Sequence, residues 1–192
     1  IGGDSGFYLK DMTFVAVMKV NSLDATEGRK SNQICSRKLN NSGEHNWYFH
    51  VTSEHKADSI NLGWKDAQTW YGLGTNGQTI QKDGFYTVIA SKSGTDGTVI
   101  VNGAEATFTG GETPVDNGAP VYLGAPEGNT DQEVTLNMDL YEFMIFNQGL
   151  ADQDLTNLQG WLEDKYGSYE YMPDPEPDPG EFDPSDVDGL TA

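Results

Sequence analysis

The chain has 192 residues, enough for one domain with a substantial core plus an appendage and too few for two full domains. It is 36% hydrophobic and 11% aromatic with 23 glycines, the composition of a folded, turn-rich β protein rather than a disordered one. Thirty acidic against eleven basic residues leave a net charge of −19, which repels phosphate backbones and anionic membrane surfaces and so argues against nucleic acid as a partner.

The same carboxylate excess favours a divalent cation, Ca2+ first. No apolar run reaches transmembrane length, so membrane insertion is not expected, and no basic segment followed by an apolar one resembles a signal peptide. The chain begins at Ile1 without methionine, which reads as processing or as excision from something longer. Cys35 stands alone, so no intrachain disulfide forms, and its expected role is that of a small buried hydrophobe on a strand.

Taken in order, Thr13–Val20 (TFVAVMKV) is apolar on both faces and β-branched, as a central strand covered on both sides would be. Further strands are expected at Gln33–Arg37, Trp47–Thr52 and Ser59–Trp64, and then at Phe85–Ser91, Thr98–Val101, Val121–Gly124 and Leu136–Phe146. Short strands divided by turns point to a sandwich or barrel. Asn102-Gly103 supplies the positive φ that a two-residue turn requires, and Gly94-Thr95-Asp96-Gly97 closes the preceding pair, so Tyr86–Phe108 reads as a three-stranded meander. One helix is expected from about Asp152, with Leu155, Leu158, Leu162 and Tyr166 on one stripe broadened by Trp161. Gly167 is its expected C-cap, and Gly160 is expected to permit close approach to a strand. After Met172 alternating prolines and acids forbid helix and favour an extended course, dividing the chain into a domain over 1–172 and an acidic Pro-rich tail or linker over 173–192.

The opening strand TFVAVMKV, the hairpin GTVIVNGAEATF and above all LYEFMIFNQGLADQDLTNLQGWLEDKYG resemble the laminin G-like/concanavalin A-like domains of bacterial surface proteins and phage virion proteins, over roughly residues 7–170. That resemblance implies an all-β jelly-roll sandwich with one C-terminal helix. In such a fold function sits in variable loops, and the relatives include lectins, adhesion modules, enzyme appendages and structural virion parts. Within the tail, Phe182–Leu190 (FDPSDVDGL) resembles the opening segment of such domains, which implies either the start of a next repeat or a strand donated to a neighbouring copy; a chance match in a linker is the alternative.

Catalytic signatures are largely missing. Gly3-Asp4-Ser5-Gly6 copies part of a serine-protease motif, but that fold needs its histidine and aspartate upstream and only four residues precede the serine here, so the match is read as accidental. The fold also carries laminarinase-type glucanases, whose Glu-x-Asp-x-x-Glu strand is matched at Asp139 and Glu142 but has Asn137 in place of the first glutamate. Retaining hydrolysis needs two carboxyls about 5 Å apart. Glu142 is therefore read as structural, and no catalytic residue is assigned. His45, His50 and His55 recur every five residues, which places neighbours on opposite faces and suits no compact metal site; His50 with Tyr48 takes one face while Trp47, Phe49 and Val51 take the other.

Two loop regions remain as candidates. Trp64 and Trp70 flank a polar loop and, with Asp66, Gln68 and Tyr71, form a shallow aromatic site for a sugar, whose apolar face stacks on a ring while its hydroxyls need polar partners; core tryptophans are the alternative. Asn129, Asp131 and Glu133 with Asp116 offer oxygen ligands for Ca2+, solvated acidic turns being the alternative. Asp174, Glu176 and Asp178 alternate like an EF-hand but lack its glycine position and are interrupted by prolines.

The expectation is a non-enzymatic recognition or adhesion module that binds a glycan or protein at a cell or virion surface, outside the cytoplasm. The alternative is a structural virion protein, such as a capsid decoration or fibre component, assembling with itself or another protein through its tail. A glycoside hydrolase comes third.

Overall fold

The computed structural model describes residues 9–23, 31–39, 44–52, 59–65, 70–74, 80–110, 114, 118, 120–124 and 133–167. Among them run β1 (Met12–Ser22), β2 (Ser31–Leu39), β3 (Glu44–Thr52), β4 (Ser59–Lys65), β5 (Trp70–Gly74) and β6 (Phe85–Ser93). Then follow β7 (Asp96–Val101), β8 (Ala104–Thr109), β9 (Val121–Leu123), β10 (Glu133–Thr135), β11 (Asn137–Phe146) and the helix α1 (Asp152–Tyr166).

The first sheet has the order β11-β1-β6-β7-β8, and the second runs β10-β2-β3-β4-β5 with β9 also on β2. All pairings are antiparallel except the short β10–β2 contact. The expected jelly-roll sandwich with one C-terminal helix is therefore the observed architecture. Two strands escaped the sequence reading. β5 (WYGLG) carries two glycines, which weaken a strand signal, and β10 is three residues held by parallel pairing to β2.

Between the sheets lies the main core, where Phe14, Ala16, Met18 and Val20 of β1 meet Trp47, Phe49 and Val51 of β3 and Ile60, Leu62 and Trp64 of β4. Phe14 packs its ring 4.7 Å from Trp47 and 5.8 Å from Phe49. The other face of β1 presents Val15 and Val17 to Ile89, Ile100 and the helix residues Leu155, Leu158 and Leu162, so the first sheet is covered on both sides. Cys35 is free and buried in the main core, where desolvation pushes its thiol up to about 12.

Two bulges adjust which side chains face where. On β2 the register shifts between Gln33 and Cys35, so that both Ile34 and Cys35 enter the main core. Gly124 N donates to the Ile34 carbonyl at 2.8 Å and Leu136 N to the Gln33 carbonyl at 2.9 Å, which satisfies the bulged backbone. On β11 the extra residue is Tyr141, opposite the step from Val17 to Met18. Leu140 and Phe143 then pack inward, while Tyr141 packs on the helix side and Glu142 reaches Lys165 of α1.

Asn102 (φ 46°) and Gly103 (φ 77°) form the expected tight turn. Asn102 Oδ1 accepts from Thr87 N at 2.8 Å and its Nδ2 donates to the Phe85 carbonyl at 3.1 Å, strapping this turn to β6. The helix ends as expected at Gly167, whose N–H donates to the Glu163 carbonyl at 2.8 Å. Its entry is fixed by the turn 147–150, where Leu150 N donates to Thr13 Oγ1 (3.2 Å) and Ser91 Oγ (3.1 Å). Gly149 lies so close to β6 that a Cβ there would meet the Lys92 carbonyl oxygen at 2.3 Å. Gly160 does not play the part expected of it: a Cβ there would meet nothing within 4 Å, so it admits no close strand.

Lys92 is buried at 1% exposure, and its Nζ donates to the Lys10 (2.8 Å) and Gly94 (2.7 Å) carbonyls. Asp11 Oδ1 stands 3.5 Å away, and the ammonium sits 5.4 Å over the Trp64 ring. Desolvation lowers its pKa from 10.5, with Asp11 opposing the shift. The domain boundary at 172 and the tail over 173–192 lie outside the described residues.

Two outcomes follow from this packing. In urea unfolding, Gly149→Ala should cost about 1–3 kcal/mol because the obstruction is backbone, whereas Gly160→Ala should stabilise by up to about 1 kcal/mol by removing a helix-interior glycine. Equal effects at both positions would contradict the close approach at Gly149. For Lys92, the folded protein sheds the proton at lower pH than the unfolded chain, so unfolding takes up a proton in the window below 10.5 and stability gains with rising pH there. Unfolding free energies of the wild type relative to Lys92→Met should therefore increase with pH in that alkaline window, and a difference independent of pH would overturn the assignment.

Candidate functional site

Along β3 the residues Trp47, Phe49 and Val51 are buried in the core, so strand alternation turns Tyr48 and His50 to the outer face of the second sheet, as their sequence pattern suggests. There the two rings stack with centroids 4.3 Å apart and planes inclined by 13°. The stack uses one face of each ring. The Tyr48 ring leans across to β4 over Gly63, where a Cβ would come within 2.0 Å of it, so a side chain at Gly63 is incompatible with this ring position.

Neighbouring strands complete a polar surface. Gln33 is paired with His50, its Nε2 at 3.5 Å from the ring Nδ1, and Asn61 is paired with His50 from the other side. Asn61 Nδ2 donates to the Ser59 carbonyl (2.9 Å) and Oγ (3.2 Å). Ser36 lies between Tyr48 and Tyr122 of β9 in the cross-strand row, and its buried Oγ has no hydrogen-bond partner among the described residues. The bulge at Ile34 makes this grouping possible: positions 33 and 36 would otherwise fall on opposite faces. The result is a cluster of amide, hydroxyl, phenol and imidazole groups beside an aromatic pair. Tyr48, His50, Asn61 and Tyr122 are half-buried on this face and can stack on an apolar ring surface and exchange hydrogen bonds, whereas Gln33 and Ser36 are fully buried beneath it.

The expected sugar site around Trp64 requires correction. Trp64 is fully buried in the main core, opposite Trp47 across β3–β4 and 6.1 Å edge-on from Phe108, so it presents no face to a ligand. The apolar alternation Ile60, Leu62, Trp64 in β4 carries that assignment and parallels Trp47, Phe49, Val51 in β3. The backbone of β5 sets Trp70 opposite Lys65 and Tyr71 opposite Trp64, while Asp66 and Gln68 lie outside the described residues. Of the calcium candidates, Asp116, Asn129 and Asp131 lie outside the described residues, and Glu133 is the first residue of β10, paired with Ser31. His55, Gly3-Asp4-Ser5-Gly6 and the segment 182–190 also lie outside them.

On β11 the glucanase-like positions are occupied otherwise than in a carboxylate pair. Asn137 donates to Ser22 Oγ at 3.0 Å, and Asp139 accepts from Asn21 at 3.1 Å. Glu142 is 15% exposed and ion-paired with Lys165, whose ammonium also lies over the Trp161 (5.0 Å) and Tyr166 (5.5 Å) rings. That contact ties β11 to the helix. The sequence pattern places Tyr48 and His50 on one face without giving them a role, and Gln33, Ser36, Asn61, Gly63 and Tyr122 are not visible in it, because their common face depends on a bulge and on strand pairing that no local pattern carries.

Comparisons with known proteins fit the architecture. No curated protein matches the chain in sequence. The NanB sialidase of Streptococcus pneumoniae superposes with a TM-score of 0.57 at 17% identity, covering 77% of this chain and 23% of that one. The Trypanosoma rangeli sialidase in complex with sialic acid gives 0.53 at 15% identity, covering 78% and 22%. Domain 4 of AbnA, a GH43 extracellular arabinanase from Geobacillus stearothermophilus in complex with arabinotriose, gives 0.55 at 13% identity, covering 83% and 74%. The chain thus spans under a quarter of either sialidase, and at such identities the likeness is one of fold. The Laminin G 3 family, described as the concanavalin A-like lectin/glucanases superfamily, matches residues 3–156, from ahead of β1 into the first turn of α1. With the two-sheet sandwich and its closing helix in place over that span, the chain belongs to the concanavalin A-like lectin/glucanase superfamily as a laminin G-like domain.

Proposed function

We propose that this chain is a non-catalytic carbohydrate-recognition module, acting outside the cytoplasm at a cell or virion surface, with its glycan seated on the outer face of the second sheet around Tyr48 and His50. The observation that carries this reading is the character of that face. A sheet surface open only to water is ordinarily lined with charged and flexible side chains. Here the described positions hold a stacked ring pair, an amide, a buried hydroxyl without a described partner, and a glycine that admits the Tyr48 ring.

Similar folds in proteins whose names concern sugars, the two sialidases and the arabinotriose-bound arabinanase domain, support the same direction without assigning the ligand. Against the hydrolase alternative stand Asn137 at the first carboxylate position and the engagement of Glu142 by Lys165. The virion-assembly alternative draws on the acidic tail over 173–192, which lies outside the described residues.

A glycan-array screen with and without calcium identifies the ligand and tests the cation at once. For any glycan found, Tyr48→Ala should weaken binding about tenfold, the loss of one good ring contact. Gly63→Ala should act in the same direction with little loss of stability, since the new methyl group displaces only the flexible end of Tyr48. Trp64→Phe should lower the melting temperature and leave the Kd of the folded protein unchanged. A Kd indifferent to Tyr48→Ala and altered by Trp64→Phe would sink this placement of the site.

A further inference from the structure

Resting on the glycan-recognition reading above, we infer that the site does not stop at Tyr48 and His50 but crosses β4 to Trp70 on β5, so that it takes a run of an extended oligosaccharide chain and not a single terminal sugar. Register carries this placement. Tyr48 pairs with Gly63 of β4 and Gly63 with Gly72 of β5, so the three form one row across the outer face. Tyr71 and Leu73 of β5 pair with the core residues Trp64 and Leu62, which assigns the alternate positions of that strand to the outer face. Trp70, paired with Lys65, is therefore on the same face as Tyr48, one row along.

The row between the two aromatic positions holds no side chain of its own. The Tyr48 ring leans over Gly63 and so already stands above β4. From there Trp70 is one strand spacing across, about 4.8 Å, and two residues along, about 6.6 Å. A sugar ring set against Tyr48 leaves that interval open, and the following units of a chain reach it.

Glycine is a poor strand residue, because it costs backbone entropy and packs nothing; inside a strand it marks a bulge, a bend, or the close approach of a ligand or another chain. The β4–β5 register runs without a shift from Asn61–Gly74 to Lys65–Trp70, so no bulge accounts for Gly72. The Tyr48 ring accounts for Gly63. The glycines clear the path and the two aromatic positions anchor it: rings at intervals along a polymer stack on aromatic side chains, and the hydroxyls between them find the half-buried amide of Asn61.

Trp70 also supplies the readout. Of the four tryptophans, Trp47 and Trp64 are sealed in the core and Trp161 lies on α1 against the other sheet. The full chain is titrated with arabino-oligosaccharides, xylo-oligosaccharides and the homologous series of the strongest array glycan, from the monosaccharide to the hexasaccharide, by calorimetry and by tryptophan emission. Affinity is expected to rise at least about tenfold from the monosaccharide to the longer members of a series that binds. The emission change should vanish in Trp70→Phe, and Trp70→Ala and Gly72→Thr should each remove the gain with chain length while leaving monosaccharide binding as it was. Threonine suits a strand, so Gly72→Thr is expected to fold. An affinity independent of chain length overturns the inference and leaves glycan recognition intact. A gain that survives Trp70→Ala and Gly72→Thr, in proteins of unaltered circular dichroism, overturns it by placing the chain elsewhere. Should Trp70→Ala not fold, Trp70→Phe decides: an emission change that persists in it overturns the placement. If no array glycan and no series binds the folded chain, the glycan reading fails and the inference fails with it.

Discussion

A strand buried on both faces must be covered twice, and β1 sets that demand. From Met12 to Met18 it is sealed from solvent: Phe14, Ala16 and Met18 face the second sheet, and Val15 and Val17 face α1. The rest of the architecture answers it. β6 and β11 flank β1, the second sheet closes one side, and the helix closes the other through Leu155, Leu158 and Leu162. The tightest joint in that closure is the turn 147–150, where a glycine admits the β6 backbone and two buried hydroxyls receive Leu150 N. The helix is thereby part of the core.

With the first sheet covered on both sides, the outer face of the second carries the half-buried Tyr48, His50, Asn61 and Tyr122 around the buried Gln33 and Ser36. Its inner residues are tied to the core, and its outer ones are arranged by strand pairing and the Tyr48–His50 stack. The one-residue bulge at Ile34 changes parity in mid-strand. Hydrophobic Ile34 and Cys35 are both drawn inward, and polar residues three positions apart come to share a surface. The Tyr141 bulge on β11 performs the converse service on the first sheet, bringing Glu142 to the helix while Leu140 and Phe143 stay in the core.

Much of this was legible in the residues. TFVAVMKV reads as a doubly covered strand because nearly every position is apolar, Asn102-Gly103 as a tight turn because of its φ requirement, and the leucines of α1 as one stripe because of their spacing. Tyr48 and His50 declare their face by alternating with Trp47, Phe49 and Val51. Trp64 sits beside polar residues that suggest a loop site, yet it alternates with Ile60 and Leu62, and that alternation places it in the core. Gln33, Ser36 and Asn61 were not legible at all: their proximity to the ring pair is a matter of inter-strand register, which arises only when the sheet assembles. Gly160 looked like a packing glycine, a role that depends on what lies opposite and not on the helix itself.

The strap at Asn102 has a consequence for how the protein ages. An asparagine followed by glycine is the dipeptide most prone to lose its amide, because the next backbone nitrogen can close on the side-chain carbonyl carbon. Here that amide is clamped by Thr87 N and the Phe85 carbonyl, and rotation toward Gly103 would break both bonds. Deamidation is thereby coupled to opening of the β7–β8 turn, so the folded hairpin protects its own most labile bond.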